Sequence, residues 1–296
     1  MTYHALAREA RGVLEDAGIS QITAAFDVEI LARHILGWDR GSWLARRDEP
    51  ADDEFRRAYA ALIARRATRE PIAYLRGIQE FWGRAFEVGP TVLIPRPETE
   101  LIIEAAAPYL RDRPNVTVVD VGTGSGCIAV TLALEYPLAQ VVATDISEQA
   151  LEVARRNATR LGASRVEFRH GALLAGVRGP IDLIVTNPPY VARTDRDGLS
   201  PEVRDYEPDA ALYGSDDGLG MIESIVHAAR ATLKPGGHLI TEIGYGQEDR
   251  VRNLIRPFPE FQLESSVEDL QHIPRVMVVR RAGPNAAATL KPKAGN

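Results

Sequence analysis

Along the first quarter of the chain, apolar residues recur at helical spacing. Leu6, Ala10, Val13, Leu14 and Ala17 share one face of a helix over Tyr3 to Ala17, which Gly18 ends. Ile30, Leu31 and Ile35 share a face of a second helix, Val28 to Leu36, with Asp27 placed to cap it and Gly37 to stop it. Phe55, Tyr59, Leu62 and Ile63 form the stripe of a third, capped by Asp52 or Asp53 and broken at Pro71. The pattern predicts a small helical bundle whose solvated faces carry both signs of charge.

The pattern changes at Glu80. Phe81, Trp82, Phe86, Val88 and Val92 around Gly83 and Gly89 predict a β-hairpin or extended linker up to Val92. Leu93-Ile94-Pro95-Arg96-Pro97-Glu98-Thr99-Glu100 follows. Pro97 suits the first turn of a helix running to about Leu110, and Glu98 and Glu100 suit its positive end. Arg96 and Thr99 sit beside prolines between two elements, where capping and an ion pair, or contact with a ligand, account for them equally well.

From Thr117 strand and helix alternate, which implies a parallel sheet with helices on both faces. Strands are expected at Val116 to Val121, Gln140 to Thr144, Val166 to Arg169, Ile181 to Val185 and His238 to Ile243. Helices are expected at Cys127 to about Glu135, Glu148 to Leu161, Leu219 to Leu233 and Gln247 to Ile255, the third stopped by Lys234-Pro235-Gly236-Gly237. Gln262 to Val267 with Arg275 to Arg280 read as a closing antiparallel pair. Thr194 to Gly218 is a long acidic stretch with Pro201 and Pro208 that reads as a lid over the substrate or as a surface connection, the lid being favoured. Residues 282–296, rich in Ala, Gly, Pro and Lys, are expected to be disordered.

Two stretches carry chemistry. Asp120-Val121-Gly122-Thr123-Gly124-Ser125-Gly126 joins the first strand to its helix through a glycine-rich turn that a ligand can approach closely. Its spacing is G-x-G-x-G; the dinucleotide fingerprint needs G-x-G-x-x-G, and Cys127 stands where its last glycine belongs, so the expected ligand is not a pyrophosphate. Asp145 ends the second strand, where a carboxylate can hold both ribose hydroxyls or cap the next helix. Ser147 can take the cap and leave Asp145 free, which favours a nucleoside site.

The second stretch is Asn187-Pro188-Pro189-Tyr190. Consecutive prolines cannot donate to a sheet ladder and hold their φ angles fixed, so the fourth strand stops in a stiff tip. The Asn187 side-chain oxygen and the Pro188 carbonyl can each accept a hydrogen bond from one NH2 group, and Tyr190 can pack behind a flat group. A planar amide or an exocyclic base amine fits. All these motifs fall at carboxyl ends of strands near the switch point, so they converge on one crevice.

Composition narrows the partners. The 296-residue chain carries a net charge of −6, so no global basic field draws it to nucleic acid or membrane. Cys127 is the one cysteine, which excludes an intrachain disulfide and a cysteine-rich metal site; the six histidines show no ligand spacing, and no metal is expected. The N-terminus lacks a charged region followed by an apolar run, and no stretch is long enough to span a bilayer, so a cytoplasmic protein without a membrane partner is expected.

Taken together, Asp27 to Leu31, Glu70-Pro71-Ile72-Ala73-Tyr74-Leu75, Glu80-Phe81-Trp82-Gly83, Leu93 to Glu100, Asp120 to Gly126, Asn187 to Tyr190, and Glu207-Pro208 with Ala211-Leu212 resemble the class I S-adenosylmethionine-dependent methyltransferases with an N-P-P-Y loop. The match is closer still to the bacterial release factor glutamine N5-methyltransferases. The resemblance implies an α/β fold with a Rossmann-like seven-stranded sheet. It implies a helical substrate-docking domain at 1–78, a hairpin linker at 79–95, the methyltransferase domain at 96–281 and a tail at 282–296. It implies methyl transfer from S-adenosyl-L-methionine, leaving S-adenosyl-L-homocysteine, to the glutamine of the Gly-Gly-Gln tip of class I peptide chain release factors. By position, Gly122, Thr123, Gly124, Ser125 and Gly126 would wrap the cofactor, Asp145 would hold its ribose, and Asn187 would border it. Asn187, Pro188, Pro189 and Tyr190 would hold the glutamine amide, with Asn187, Pro188 and Tyr190 carrying catalysis. The family often has an acidic and an aromatic residue near the adenine; this chain has Gly171-Ala172-Leu173-Leu174, so backbone groups and an apolar wall from Leu173 are expected instead. A monomer is expected. The alternative is an adenine or cytosine amino-methyltransferase of nucleic acid, against which stand the acidic charge and the lack of a basic target-reading domain.

Overall fold

The computed structural model describes residues 1–283, so nearly all of the expected tail lies outside the described residues. The chain divides into two compact units. One comprises Met1–Gln79 and Leu199–Tyr206; the other comprises Glu80–Gly198 and the chain from Glu207 onward.

The helical unit contains α1 (Tyr3–Asp16), α2 (Gln21–Leu36), α3 (Arg40–Arg46), α4 (Asp53–Ala67) and α5 (Ile72–Arg76). Thr2, Ser20, Asp39 and Asp52 cap the first four through side-chain oxygens. The cores of α1, α2 and α4 meet through Leu14, Leu31, Phe55 and Tyr59, and the Tyr59 hydroxyl donates to the Val28 carbonyl at 2.9 Å. Asp27 does not cap α2, because Ser20 starts that helix seven residues earlier. Asp27 is instead buried and paired with buried Arg66 at 2.7 Å. A charge pair on two helices carries no local sequence signal, whereas an Asp before an apolar run imitates a cap.

A hairpin of β1 (Ile78–Phe81) and β2 (Arg84–Glu87) follows, with the boundary between the units falling inside β1; its two-residue turn has positive φ at Trp82 and Gly83. A 3₁₀ turn at Pro97–Thr99 leads into α6 (Glu100–Leu110). Then β3 (Thr117–Val121), α7 (Cys127–Glu135), β4 (Gln140–Asp145), α8 (Glu148–Leu161), β5 (Glu167–His170) and β6 (Ile181–Thr186) alternate as the pattern requires.

The stretch after β6 is structured. It forms β7 (Val191–Ala192), a 3₁₀ turn, α9 (Pro201–Tyr206), α10 (Asp209–Leu212) and β8 (Tyr213–Ser215), with β7 and β8 paired. Leu199–Tyr206 belongs to the helical unit, where Glu202 binds Arg66 and Arg69 and Tyr206 bonds Thr68. The chain closes with α11 (Gly220–Thr232), β9 (Leu233–Glu242), α12 (Glu248–Ile255), β10 (Phe261–Glu268) and β11 (Pro274–Arg281). Strand β9 starts earlier than expected, at Leu233, and shifts register where Gly237 packs so closely on the Asp182 carbonyl that a Cβ would collide with it.

The seven strands run in the order β10-β11-β9-β6-β3-β4-β5. Neighbours are parallel from β9 to β5, and β11 is antiparallel to β9 and β10. Both faces of the central strands are buried, so successive residues serve opposite cores. Leu183 and Val185 pack under α6 and α7, while Ile184 packs under α11 with Ile222 and Val226. The chain leaves β3 toward β4 and later returns to its other side as β6, which opens a crevice at the carboxyl ends of β3, β4 and β6. No helix of the described residues is long and apolar enough to cross a membrane.

Candidate active site

A cavity of about 460 Å³ occupies that crevice, within the usual range of a small-molecule site. Three strand ends build its floor. Strand β3 gives way to the glycine turn, where the Gly122 and Thr123 N–H groups both donate to the Thr144 carbonyl at 2.9 Å. Gly122 and Gly124 have positive φ, and a Cβ on either would meet nothing, so the turn lies open to a ligand. Gly126 serves a different purpose: it does not line the cavity, and a Cβ there would press on Ala154 of α8. Its bareness lets α7 lie against α8.

Asp120 shapes the turn from below. Its Oδ2 accepts from the Thr123 hydroxyl at 2.6 Å and from the Ala129 N–H at 3.2 Å, while buried Oδ1 has no partner among the described residues. Burial pushes this carboxyl up to about 7. Asn157 of α8 ties the turn to the hairpin, donating to the Ser125 carbonyl at 2.9 Å and accepting from the Glu87 N–H at 2.7 Å.

Asp145 ends β4 at the cavity wall. Oδ2 accepts from the Gly124 N–H at 2.9 Å and Oδ1 from the Ser147 N–H at 2.9 Å. Ser147 caps α8 through its own side chain, accepting from Ala150 N–H. Burial raises the Asp145 carboxyl, opposed by these backbone N–H groups. Each carboxylate oxygen keeps a lone pair for another donor. Beside it Ile146 is 68% exposed, an apolar surface left bare on the cavity wall. Gly171, Ala172 and Leu173 line the same side.

This donor and acceptor set fits S-adenosylmethionine. The Asp145 carboxylate suits two vicinal hydroxyls, the open glycine turn admits backbone contact with the amino-acid portion, and Ile146 with Leu173 offers apolar walls for a flat base.

At the end of β6, Thr186 donates to the Val121 carbonyl at 2.8 Å, and Pro188-Pro189 then carries the chain out of the sheet. Asn187, Pro188 and Pro189 line the cavity. Tyr190 does not: its hydroxyl donates to Glu242 Oε1 at 3.1 Å and its carbonyl accepts from Gln247 Nε2 at 2.9 Å. Burial and the neighbouring Glu242 charge raise the phenol strongly.

Thr99 is buried beside Asn187, lines the same cavity and makes no side-chain cap of α6. Its hydroxyl donates to Glu242 Oε2 at 2.7 Å and accepts from Asn187 Nδ2 at 3.0 Å. Arg96 pairs with buried Glu207, which also accepts from the Ile94 N–H at 3.2 Å and so pins one cavity wall. Glu242 and Asn157 escaped the sequence reading. A carboxylate inside the strand pattern Leu239-Ile240-Thr241-Glu242-Ile243 was the available signal for Glu242, since buried acids concentrate at functional sites. Asn157 offered none.

Residues 5–77 match the family model for the PrmC N-terminal domain, and residues 99–200 match the methyltransferase small domain. The chain is 42% identical over 276 residues to the release factor glutamine methyltransferase of Koribacter versatilis, covering 90% of this chain and 96% of that protein. It is 46% identical over 243 residues to that of Geobacter sulfurreducens, covering 81% and 84%. A methyltransferase from Pyrococcus furiosus shares the fold at a TM-score of 0.51 and 20% identity, over 76% of this chain and 98% of that one. With relatives this similar matched along nearly their whole length, and both units recognised separately, the chain belongs to the release factor glutamine methyltransferase family of S-adenosylmethionine-dependent methyltransferases.

Proposed function

We propose that the protein transfers a methyl group from S-adenosyl-L-methionine to the side-chain amide nitrogen of the glutamine in the Gly-Gly-Gln tip of class I peptide chain release factors, and so modulates translation termination. One observation carries the reading. Asn187 Oδ1 and the Pro188 carbonyl are acceptors that no hydrogen bond reaches among the described residues, on a tip lining the same cavity as the glycine turn and Asp145. Two oxygen acceptors on a rigid tip suit one NH2 group. The names of the relatives point to which NH2 group that is.

S-adenosylmethionine, when bound, supplies a methyl group on a sulfonium. The protein's part is to place a poor nucleophile, since an amide lone pair is delocalised into its carbonyl. Asn187 Oδ1 and the Pro188 carbonyl would each take one N–H of the glutamine amide and aim its nitrogen along one line. As the nitrogen gains positive charge these two acceptors bind it more tightly than the ground-state amide, which is the condition for acceleration. The nitrogen then releases one proton to water. Gly122 to Ser125 and Asp145 hold the cofactor; the helical unit, matched separately, is the module that docks the release factor.

The test is transfer of labelled methyl from the cofactor to purified class I release factor, beside a release factor whose tip Gln is changed. Label on the first and none on the second establishes the acceptor. Label on neither, with the cofactor still bound, overturns the reading in favour of a nucleic-acid amine.

A further inference from the structure

Asn187 presents an ambiguity that its own chemistry cannot resolve. A side-chain amide has an oxygen on one side and an NH2 on the other, nearly identical in shape. Only one orientation offers an acceptor to an incoming NH2; the other sets donor against donor. Something must fix the choice.

We propose that Thr99 and Glu242 are positioning residues that fix which way round the Asn187 amide stands, so that its oxygen is left for the substrate. Thr99 has one hydroxyl proton. Glu242 Oε2, as a carboxylate, can only accept, so that proton is committed to it at 2.7 Å. The Thr99 oxygen can then only accept from Asn187, and the atom 3.0 Å away must be Nδ2. Oδ1 is left as the amide atom without a partner among the described residues, on a side chain that lines the cavity. The second Glu242 oxygen is held by Tyr190 at 3.1 Å, so both ends of the Asn187–Tyr190 tip are anchored on one carboxylate. Glu242 and Thr99 are 2% and 1% exposed, so bulk water does not compete for their hydrogen bonds. The proposal rests on the methyl-transfer reading for its consequence in catalysis; the amide orientation itself does not need it.

The device depends on the carboxylate being ionised. A protonated Glu242 must itself donate, and a Thr99 hydroxyl that receives that proton is released to donate to Asn187, which turns the amide over. The groups facing Glu242 are Tyr190 beyond β6, Glu98 before α6, Arg275 on β11 and Cys127 at the start of α7. Burial is the largest influence and sets the carboxyl at about 7, so the orientation is retained above that pH and lost as pH falls through it.

Thr99→Val keeps the shape and removes the hydroxyl; Thr99→Ser keeps the hydroxyl. The first readout needs no substrate: side-chain amide NMR signals of Asn187, assigned by their loss in Asn187→Ala, followed from pH 5.5 to 8.5. The wild type should show one Asn187 NH2 pair that titrates with a midpoint near 7. Thr99→Ser should keep it, and Thr99→Val and Glu242→Gln should lose the titration. An Asn187 signal unchanged by Thr99→Val overturns the proposal. The second readout is turnover. Thr99→Val should lower kcat roughly 10- to 100-fold, as expected when one preorganised contact is misdirected, with cofactor Kd within about twofold by calorimetry and activity restored in Thr99→Ser. Full kcat in a folded Thr99→Val also overturns it. A wild type that titrates as expected but transfers no methyl to release factor overturns the function and leaves the amide orientation standing.

Discussion

Asp145 Oδ2 accepts from the Gly124 N–H at 2.9 Å, which fastens the end of the second strand of the sheet to the glycine turn after the first. One carboxylate therefore does two things: it sets the shape of the turn and keeps lone pairs for a ligand. Asp145→Asn preserves size and removes the charge. We expect cofactor affinity to fall roughly 10- to 100-fold, the loss of about 1.5–3 kcal/mol for hydrogen bonds to a charged acceptor. Isothermal calorimetry with S-adenosylhomocysteine measures it, and unchanged affinity would remove Asp145 from the site.

Asn187→Ala takes away one of the two acceptors on the tip. The expected effect is a drop of roughly 100-fold or more in kcat, the scale for losing one preorganised partner in a transition state. Cofactor affinity should hardly move. Near-normal turnover in single-turnover assays would show that the tip does not position the acceptor nitrogen.

The tip is also held from outside by missing side chains. A Cβ on Gly214 would lie far inside contact distance of the Pro189 carbonyl oxygen, and one on Gly218 would meet the Tyr190 carbonyl. Gly214→Ala must push β8 and the tip apart. Displacement of about 1 Å can cost up to ~100-fold in rate, so kcat should drop by roughly 10- to 100-fold while the cofactor still binds. A variant of full activity would mean the tip tolerates movement and is not a fixed template.

Asp120 and Glu242 make a prediction for stability against pH. Burial raises both to about 7 in the folded protein, against ordinary carboxyl values near ~4 in the unfolded chain. Between those limits the folded state holds protons that the unfolded state has released, so stability from these groups is full below about pH 4 and declines as pH rises toward 7. Glu242→Gln should therefore gain melting temperature relative to wild type on going from pH 5 to pH 8, by a few degrees. Differential scanning calorimetry at the two pH values decides it; an identical pH dependence in wild type and variant would contradict a raised carboxyl.

The sequence by itself determined the main strands and helices around the sheet and the residue types at their ends. Leu183 to Val185 had to be a central strand because nothing polar interrupts it, and Pro188-Pro189 had to end it because neither residue can donate to a ladder. The glycine spacing from Gly122 to Gly126 and the acid at Asp145 are local features, legible because each acts within a few residues of itself. The parallel part of the sheet follows from the alternation of strand and helix, and its antiparallel edge from the closing pair.

What only the tertiary structure decided are the partners. Asn187 meets Thr99 across 88 positions, Thr99 meets Glu242 across 143, and Asp27 meets Arg66 across 39. No periodicity encodes such pairings, since a hydroxyl or carboxylate reads the same whether it caps a helix or locks an amide. Gly126 and Tyr190 show the limit from the other side. Both stand in the expected motifs, yet packing turns one toward Ala154 and the other toward Glu242 instead of the cavity. Residue type fixes what a side chain can donate or accept; only the arrangement of buried neighbours fixes to whom.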